Sequence, residues 1–346
     1  MTGKDLDWID YAKVIGIFLV VFGHVLQGQI ACSSDNILKL LWDYIYLFHM
    51  PLFFMISGFL YKEINQLGGK SLILKLILPY FLYQIIFLPA SIVIHKEFLD
   101  SPFAWFKMVA GVFLGDGYDS DYSFYDCIPC WFIVCTIQLR LLFCTVRMTH
   151  YSASFLVLFS CFFLYFRRIL DFDLLFCLDS TIMAIPYFIL GYYFKRLKHI
   201  DSYPYLIYCC IAVFSLILCY VILELNGAAQ MNGPSYGKYL LLNYTAGIIG
   251  SISVLSISCL ISRLIKISNG LKVISRNTLF IIFSHWVFVS VFSFIGLHSF
   301  MSGISNNHLF VISGVILESL LILVLSYFLI RMLGTKFPLL LGKQKA

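Results

Sequence analysis

The sequence is poor in charged residues. Asp, Glu, Lys and Arg together make up 12% of its 346 residues, whereas an ordinary soluble domain carries about a quarter. Apolar residues make up 61%, and the mean hydropathy is +0.91. A soluble fold of this length could not bury so much apolar surface in one core. We therefore expect a lipid bilayer to be the solvent for most of the chain.

Other features are also scarce, and each absence argues against a class of protein or site. The 24 basic residues are scattered and the net charge is only +6, which argues against a nucleic-acid surface. Most of the 11 cysteines lie inside apolar runs. Cys127 and Cys130 form a C-x-x-C outside any metal-like constellation, so no metal site is expected and a disulfide or redox pair is the alternative to simple packing. No repeat or Gly/Pro-rich linker interrupts the chain, which favours one domain over residues 1–346.

Long apolar runs recur along the chain. A bilayer core needs about 20 apolar residues per helix. Ten segments qualify approximately, namely 11–31, 38–61, 72–94, 128–148, 152–170, 174–194, 203–225, 240–262, 278–297 and 309–332. Residues 102–114 are apolar but too short to span, and we expect them to lie along the interface. The predicted fold is all-α, a polytopic integral membrane protein with about ten transmembrane helices.

The distribution of Lys and Arg predicts the orientation of these helices. With the N- and C-termini in the cytoplasm, most of the 24 basic residues fall on the inner side, as the positive-inside rule requires. We expect the first apolar stretch to be a retained helix rather than a signal peptide, since no A-x-A cleavage site follows it. The long segment 95–127 then lies outside. Its acidic and aromatic stretch 116–122 is either a sugar-binding element or a solvated loop.

Ionisable residues inside predicted spans are costly, so each is a functional hypothesis. The set comprises His24, Asp43, His49, Arg140, Asp179, His285 and Glu318. Asp43 and Asp179 lie near helix ends, where we expect them to reach water.

The first predicted helix places two of its polar residues on one face. His24 follows Lys13 by eleven steps along the helix, and eleven rotations of about 100° come within about 20° of three full turns. The two residues would lie roughly 16 Å apart along the helix. Gly23 would allow a backbone or a substrate to approach closely. The alternative for a lone His24 is a hydrogen-bonded packing role.

The second and ninth predicted helices add further polar groups. Pro51 lacks an N–H and clashes with the carbonyl of Leu47, so a break is expected beside His49. Ser275 or Asn277 is expected to cap the ninth helix. Arg276 at that helix start suits an anionic ligand, and positive-inside anchoring explains it equally well.

These motifs, in their order along the chain, carry a family resemblance. They are Asp10-x-x-Lys13-x10-His24, Phe48-His49-Met50-Pro51-Leu52-Phe53-Phe54 with Ser57-Gly58, Trp131-Phe132, Gly191-Tyr192, and Ser275-Arg276-Asn277-Thr278-Leu279 running to His285. The chain resembles the acyltransferase 3 family, polytopic membrane enzymes that O-acylate carbohydrates. It is most similar to the fucose 4-O-acetylase-like and surface-polysaccharide O-acetyltransferase members.

The resemblance implies roles for individual residues. His24 would be catalytic, and Lys13 would stand where many relatives have an Arg, although Lys cannot make a planar bidentate contact. The residues implied in substrate or donor binding are Lys13, Asp10, His49, Trp131, Arg276, Asn277 and His285. The implied donor is acyl-CoA, with acetyl-CoA expected, and no cofactor is bound. The implied acceptor is a cell-surface or lipid-linked carbohydrate, and the implied location is a bacterial cytoplasmic membrane.

Two routes of acyl transfer follow from this resemblance. A neutral imidazole can accept a proton near pH 7, so His24 would deprotonate the acceptor hydroxyl during attack on the thioester. Alternatively, His24 would carry the acyl group covalently. His49 or the Trp131 indole N–H would stabilise the oxyanion. The inner basic residues Lys13, Lys62, Lys272 and Arg276 would hold the phosphates of CoA, and transfer would be completed within the membrane domain.

The alternative function is a transporter or flippase of lipid-linked sugars. His49, Arg140 and Glu318 would then form a proton relay or substrate path. Its expected signature is paired broken helices in two related halves. The sequence has one clear break at Pro51, a weaker one at Pro186 and no repeat, so it favours the acyltransferase. A non-catalytic sensor has no feature in its favour.

Overall fold

The protein is helical throughout the part that the computed structural model describes. That part comprises residues 7–32, 36–61, 72–94, 102–115, 128–146, 148–170, 172, 174–196, 203–233, 235–304 and 307–342. Within these ranges the β pairing is limited to an isolated bridge between Gln230 and Ser235. The prediction of an all-α membrane fold is confirmed. Lys62, the segment 116–122 and Cys127 lie outside the described residues.

The chain divides into two compact units. The first comprises residues 1–56, 196–229 and 236–332, and the second comprises residues 57–195, 230–235 and 333–346. The single domain expected over residues 1–346 stays a prediction.

The first unit is built around its N-terminal helix. Its helices are α1 (Asp7–Cys32), α2 (Asn36–Tyr46), α3 (His49–Phe59, whose last residues belong to the second unit), α9 (Tyr205–Asn226), α10 (Leu240–Leu264), α11 (Asn269–Arg276), α12 (Thr278–Phe294), α13 (Leu297–Ile304) and α14 (His308–Lys336, which ends in the second unit). Helix α1 packs against α2, α10, α11, α12 and α13, so it forms the centre of this unit.

The second unit contains the remaining helices. These are a π-helix at Ile73–Ile77 followed by α4 (Leu78–Ile94), then α5 (Pro102–Leu114), α6 (Trp131–Thr145), α7 (His150–Leu170) and α8 (Leu178–Phe194). Helix α5 has 13 residues, which confirms that the segment is too short to span. Short 3-10 turns precede α6 and α8, and another closes the chain at Pro338–Leu341.

Fewer helices than predicted have the length and apolarity to cross a membrane. In the described ranges there are seven such spans, corresponding to α1, α2 with α3, α7, α8 with its preceding turn, α9, α10 and α14. The bent pair of α11 and α12 would make an eighth. Among the residues whose side chains are described, the predicted spans 72–94 and 128–148 contribute the apolar helical stretches Ile73–Phe87 and Trp131–Thr145. The count of about ten is therefore not confirmed.

The second predicted span is broken where the sequence indicates. Helix α2 ends at Tyr46, and α3 begins at His49. Pro51 has no N–H to donate to the Leu47 carbonyl four residues earlier. The next residue does make its helical hydrogen bond, because the Leu52 N–H donates to the Phe48 carbonyl at 3.0 Å. The predicted break beside His49 is confirmed.

The ninth predicted span differs from expectation at its start. Helices α11 and α12 meet at Asn277 with a bend of 86°. The Asn277 side chain does not cap α12, because its Nδ2 donates to the Val273 carbonyl at 2.6 Å. Ser275 lies within α11 and donates to the Asp10 carboxylate instead. The capping prediction is therefore wrong, since both side chains have other partners.

Asp179 in the second unit also departs from expectation. The sequence predicts that it reaches water, but it is only 4% exposed. Its carboxylate accepts from Arg167 Nε at 3.2 Å and from the Ser180 N–H at 2.8 Å. An ion pair and a backbone hydrogen bond replace the expected solvent contact.

Candidate active site

Three histidines of the first unit gather around α1. The ring of His24 lies 5.1 Å from the ring of His285, measured between centroids. His49 reaches this group through Tyr46, whose ring lies 4.6 Å from His49 and 6.3 Å from His24. The predicted catalytic residue thus lies beside two of the residues predicted to bind substrate.

The backbone determines which ring nitrogens are available. Nδ1 of His49 lies 2.9 Å from the Ile45 carbonyl, and Nδ1 of His285 lies 2.8 Å from the Ile281 carbonyl. A carbonyl oxygen only accepts, so each neutral ring carries its hydrogen on Nδ1 and has a lone pair on Nε2. Nε2 of His285 is buried and has no hydrogen-bond partner among the described residues. These neutral rings can accept a proton or hydrogen bond at Nε2.

His24 has the same hydrogen arrangement but is more accessible. It is half-buried, whereas His49 and His285 are buried. Its Nδ1 lies 3.3 Å from the amide oxygen of Gln27, an acceptor, which leaves Nε2 of His24 as the unprotonated nitrogen. A half-buried imidazole with a free lone pair suits attack on a carbonyl or removal of a hydroxyl proton.

Aromatic side chains form the walls of this histidine cluster. The Trp286 ring meets His24 edge-on at 5.3 Å, and Trp42 packs on Tyr46 at 4.0 Å. Gly23 makes the approach of Tyr46 possible, because a Cβ at Gly23 would lie 3.0 Å from Cε2 of that ring. Tyr46 and Trp286 are absent from the sequence-predicted site. From the sequence, Tyr46 could have been suspected only because it precedes the predicted helix break, and Trp286 only because it follows His285.

A charged cluster lies at the N-terminal end of α1. Ser275 donates to the Asp10 carboxylate, which ties the break between α11 and α12 to α1. Asp10 and Arg276 both lie close enough to Lys13 to interact electrostatically with its ammonium group. Arg276 is exposed and Lys13 is half-buried. This cluster therefore offers cationic groups to a ligand that approaches the start of α1.

A cavity of about 400 Å³ opens beside the same end of α1. It is lined by residues 262–266 at the end of α10 and by Asp7 and Trp8. Its cations are Arg263 and Lys266. The Arg263 guanidinium lies 4.3 Å over the Tyr205 ring, which orients it. Lys272, predicted to bind phosphate, instead pairs with Asp7 at 3.1 Å.

The remaining predicted residues are distributed over both units. Trp131 begins α6 in the second unit, where it is buried with its ring edge toward Phe132. Arg140 belongs to that unit as well. Asn277 is buried at the α11–α12 break, and Glu318 pairs with His298 in the first unit. In the described part of the chain, no group of three or more His, Cys, Asp or Glu side chains could hold a metal ion.

Comparison with known proteins identifies the family. The acyltransferase 3 family, described as an acyltransferase domain, matches residues 6–333. The chain is also similar to Nodulation protein NolL of Sinorhizobium fredii, with 52% identity over 52 residues, which are 15% of this chain and 14% of that protein. Nodulation protein NolL of Mesorhizobium japonicum is 48% identical over 60 residues, 17% of this chain and 16% of that protein. The chain thus spans less than a fifth of either relative's length, and no solved structure matches it.

The family match covers nearly the whole chain, and the apolar helices are those of a multi-pass membrane protein. The match includes every residue of the histidine cluster and of the charged cluster on α1. We conclude that the chain belongs to the acyltransferase 3 family.

Proposed function

We propose that this acyltransferase moves an acetyl group from acetyl-CoA to a hydroxyl of a cell-surface or lipid-linked carbohydrate, and that His24 is its catalytic residue. The observation that carries the proposal is the position of His24, half-buried and 5.1 Å from the buried ring of His285. The carbohydrate acceptor and the acetyl donor rest on the resemblance to polysaccharide O-acetyltransferases. Family membership favours this function over the transporter alternative.

The cationic end of α1 supports a CoA donor. CoA carries a pyrophosphate and a ribose phosphate, and Lys and Arg are the side chains that bind such groups. Arg263 and Lys266 line the cavity beside Asp7, and Arg276 lies near Lys13. In our proposal these four cations hold the phosphates, and the acetyl end of CoA extends along α1 toward His24.

His24 can act in either of two ways. In direct transfer, Nε2 of His24 removes the hydroxyl proton as the hydroxyl oxygen attacks the thioester carbon, and the CoA thiolate leaves. In the covalent route, Nε2 attacks the thioester, CoA leaves, and the hydroxyl then displaces the imidazole. Exchange of labelled CoA into acetyl-CoA without any acceptor would identify the covalent route.

The oxyanion partner needs revision. Neutral His49 uses its one N–H for the Ile45 carbonyl, so its Nε2 can only accept. Trp286 has an indole N–H that can only donate, and its ring lies 5.3 Å from His24. We therefore favour Trp286 over His49 as the donor to the developing oxyanion in the first unit.

The orientation and location of the protein are also part of this proposal. The N-terminus would lie in the cytoplasm, because the cations at the start of α1 must reach cytoplasmic CoA. The C-terminus would lie there too, since an even number of spans, as the sequence predicts, returns the chain to the same side. A C-terminal green fluorescent protein fusion should then fluoresce in bacterial cells, and a C-terminal alkaline phosphatase fusion should be inactive. The opposite pair of results would contradict a cytoplasmic C-terminus.

The test of His24 is acetyl-CoA turnover by the purified protein in detergent. Free thiol release is measured with a panel of glycan acceptors for the wild type, for His24→Ala and for His150→Ala. His150 is an exposed histidine in the second unit whose ring stacks on Tyr193, so it controls for loss of an imidazole elsewhere. We expect acceptor-dependent release in the wild type and His150→Ala, and its loss in folded His24→Ala. Equal activity in all three would contradict the role of His24.

A further inference from the structure

A second buried polar cluster lies beyond the histidine cluster on α1. His298 of α13 and Glu318 of α14 are 1% and 5% exposed. Nε2 of His298 lies 3.1 Å from Oε1 of Glu318. The His298 carbonyl accepts from Nε2 of Gln29 at 3.3 Å, and the same amide also contacts Ser302. This cluster joins α13 to the end of α1 and α14 to α13.

The cluster leaves polar atoms available at a buried position. Neither Nδ1 of His298 nor Oε2 of Glu318 has a hydrogen-bond partner among the described residues, and both atoms are buried. A buried polar atom without a partner costs free energy, and ionisable residues inside membrane helices are retained mainly where they act on substrates, ions or protons. An open nitrogen on a ring held by a carboxylate is the arrangement of a histidine base and its orienting acid.

The ring of His298 occupies the place of a missing side chain on the His24 face of α1. A Cβ at Gly28 would lie 2.5 Å from Cε1 and 2.7 Å from Nδ1 of His298. Gly28 is four residues after His24, and side chains at that spacing are neighbours with Cβ atoms about 5–6 Å apart. A side chain at Gly28 would also lean toward the preceding turn, where His24 is located. Nδ1 of His298 is therefore about one helical turn from His24.

We propose that His298, oriented by Glu318, is a further residue of the acyltransferase site that binds the acceptor hydroxyl and takes its proton during transfer. This proposal rests on the proposed function at His24. In the covalent route, the hydroxyl oxygen forms its bond to the acyl carbon as the bond from that carbon to Nε2 of His24 breaks, and the hydroxyl proton moves to Nδ1 of His298. The proton then passes to the released His24 imidazole. No oxidant or other reactant is needed, and the charge is balanced.

The first test removes the open nitrogen but keeps the bond to Glu318. In His298→Gln the amide can still reach Glu318, whereas no group replaces Nδ1. We expect kcat for acceptor-dependent thiol release to fall about 100-fold, within the range of positioned acid–base groups, while the Kd for acetyl-CoA changes less than about twofold. Unchanged kcat would overturn the proposal. A parallel loss of acetyl-CoA binding and turnover would also overturn it, because that result indicates a purely structural pair.

A matched pair of glycine variants keeps the test decisive if His298→Gln does not fold. Gly28→Ala places a methyl group against Cε1 and Nδ1 of His298, whereas a Cβ at Gly303 of α13 would meet nothing within 4 Å. Gly28→Ala should lower kcat at least about tenfold with donor binding retained, since a displaced base loses part of its contribution. Gly303→Ala should match the wild type. Equal activity of the two variants would overturn the proposal, and a wild type without any turnover would overturn the proposed function along with it.

Discussion

Two pairs of ionisable side chains, one in each unit, differ in how completely their polar atoms are used. In the second unit, Arg167 contacts Asp179, whose other oxygen accepts from the Ser180 N–H. In the first unit, His298 contacts Glu318 through one atom each, and one atom on each residue has no hydrogen-bond partner in the described structure. Both carboxylates are buried and the Arg167 side chain is only 12% exposed, so the difference does not arise from solvent.

The comparison separates a pair that stabilises the fold from a pair suited to a ligand. A buried ion pair is favourable only when its remaining polar atoms are also bonded. Asp179 meets that condition through both of its oxygens, and Glu318 does not. We therefore expect changes at Asp179 to appear in stability, and changes at Glu318 to appear in turnover.

The largest expected effect is on stability in the second unit. Asp179→Asn removes the buried carboxylate that pairs with the Arg167 guanidinium. The free energy of unfolding should fall by about 3–5 kcal/mol, as when one partner of a buried pair is removed. The measurement is equilibrium unfolding of the purified protein in mild detergent. Turnover per folded molecule should stay near the wild-type value. If the free energy of unfolding falls by less than about 1 kcal/mol, the size typical of an exposed pair, the Arg167–Asp179 pair does not stabilise the fold as proposed.

The same chemical change in the first unit should affect catalysis instead. Glu318→Gln keeps a hydrogen-bond acceptor for His298 but removes the carboxylate that orients and balances its ring. We expect kcat to fall about tenfold or more, a part of the roughly 10²–10⁴-fold contribution of a positioned base. The change is measured as acceptor-dependent thiol release at saturating acetyl-CoA. If Glu318→Gln loses stability as Asp179→Asn does and keeps its kcat, the two pairs have the same structural role.

A smaller effect is expected where Ser275 joins the α11–α12 break to α1. Ser275→Ala removes the hydrogen bond to Asp10, so Lys13 and Arg276 lose part of their fixed arrangement. A hydrogen bond of this kind contributes about 1 kcal/mol, which corresponds to about a fivefold higher Kd for acetyl-CoA. Isothermal titration calorimetry of the wild type and Ser275→Ala with acetyl-CoA measures this Kd.

The control for Ser275 is an exposed serine on α14. Ser313 donates only to the Leu309 carbonyl of its own helix, so Ser313→Ala should leave the Kd for acetyl-CoA unchanged. An equal increase in both serine variants would indicate that α1 and the α11–α12 break do not hold the donor.

The local part of this structure could be predicted from the sequence. Pro51 removes a donor and clashes one turn back, so a break beside His49 follows from the residue itself. The shared face of Lys13 and His24 follows from helical geometry. The count of about ten spans is not confirmed, and an apolar run alone does not determine the course of its helix. The run at 72–94 begins as a π-helix, and the one at 278–297 begins at an 86° bend.

Pairings between distant helices could not be predicted from the sequence, because no local period encodes them. Glu318 is conspicuous inside an apolar run, but its partner His298 lies in a segment predicted to be a loop between two spans. Asp179 was placed near water by its position at a helix end, yet Arg167 is folded back onto it. The approach of His285 to His24 was implied only by the family resemblance. Isolated ionisable residues are therefore visible in the sequence, whereas the residues that they contact are visible only in the folded structure.

The smallest expected effect concerns a third charged pair, on the surface of α2. Lys39 contacts Asp43 at 3.2 Å, one turn apart, with a Lys39 side chain that is 56% exposed. If exposure to solvent governs the strength of this pair, Lys39→Gln should change the free energy of unfolding by about 0.3–0.5 kcal/mol, and added salt should abolish the difference. The measurement is equilibrium unfolding in mild detergent at low and high salt. A salt-independent change as large as that expected for Asp179→Asn would mean that lipid rather than water covers Lys39. In that case the Lys39–Asp43 pair would be no weaker than the Arg167–Asp179 pair, and exposure to water would not distinguish the two.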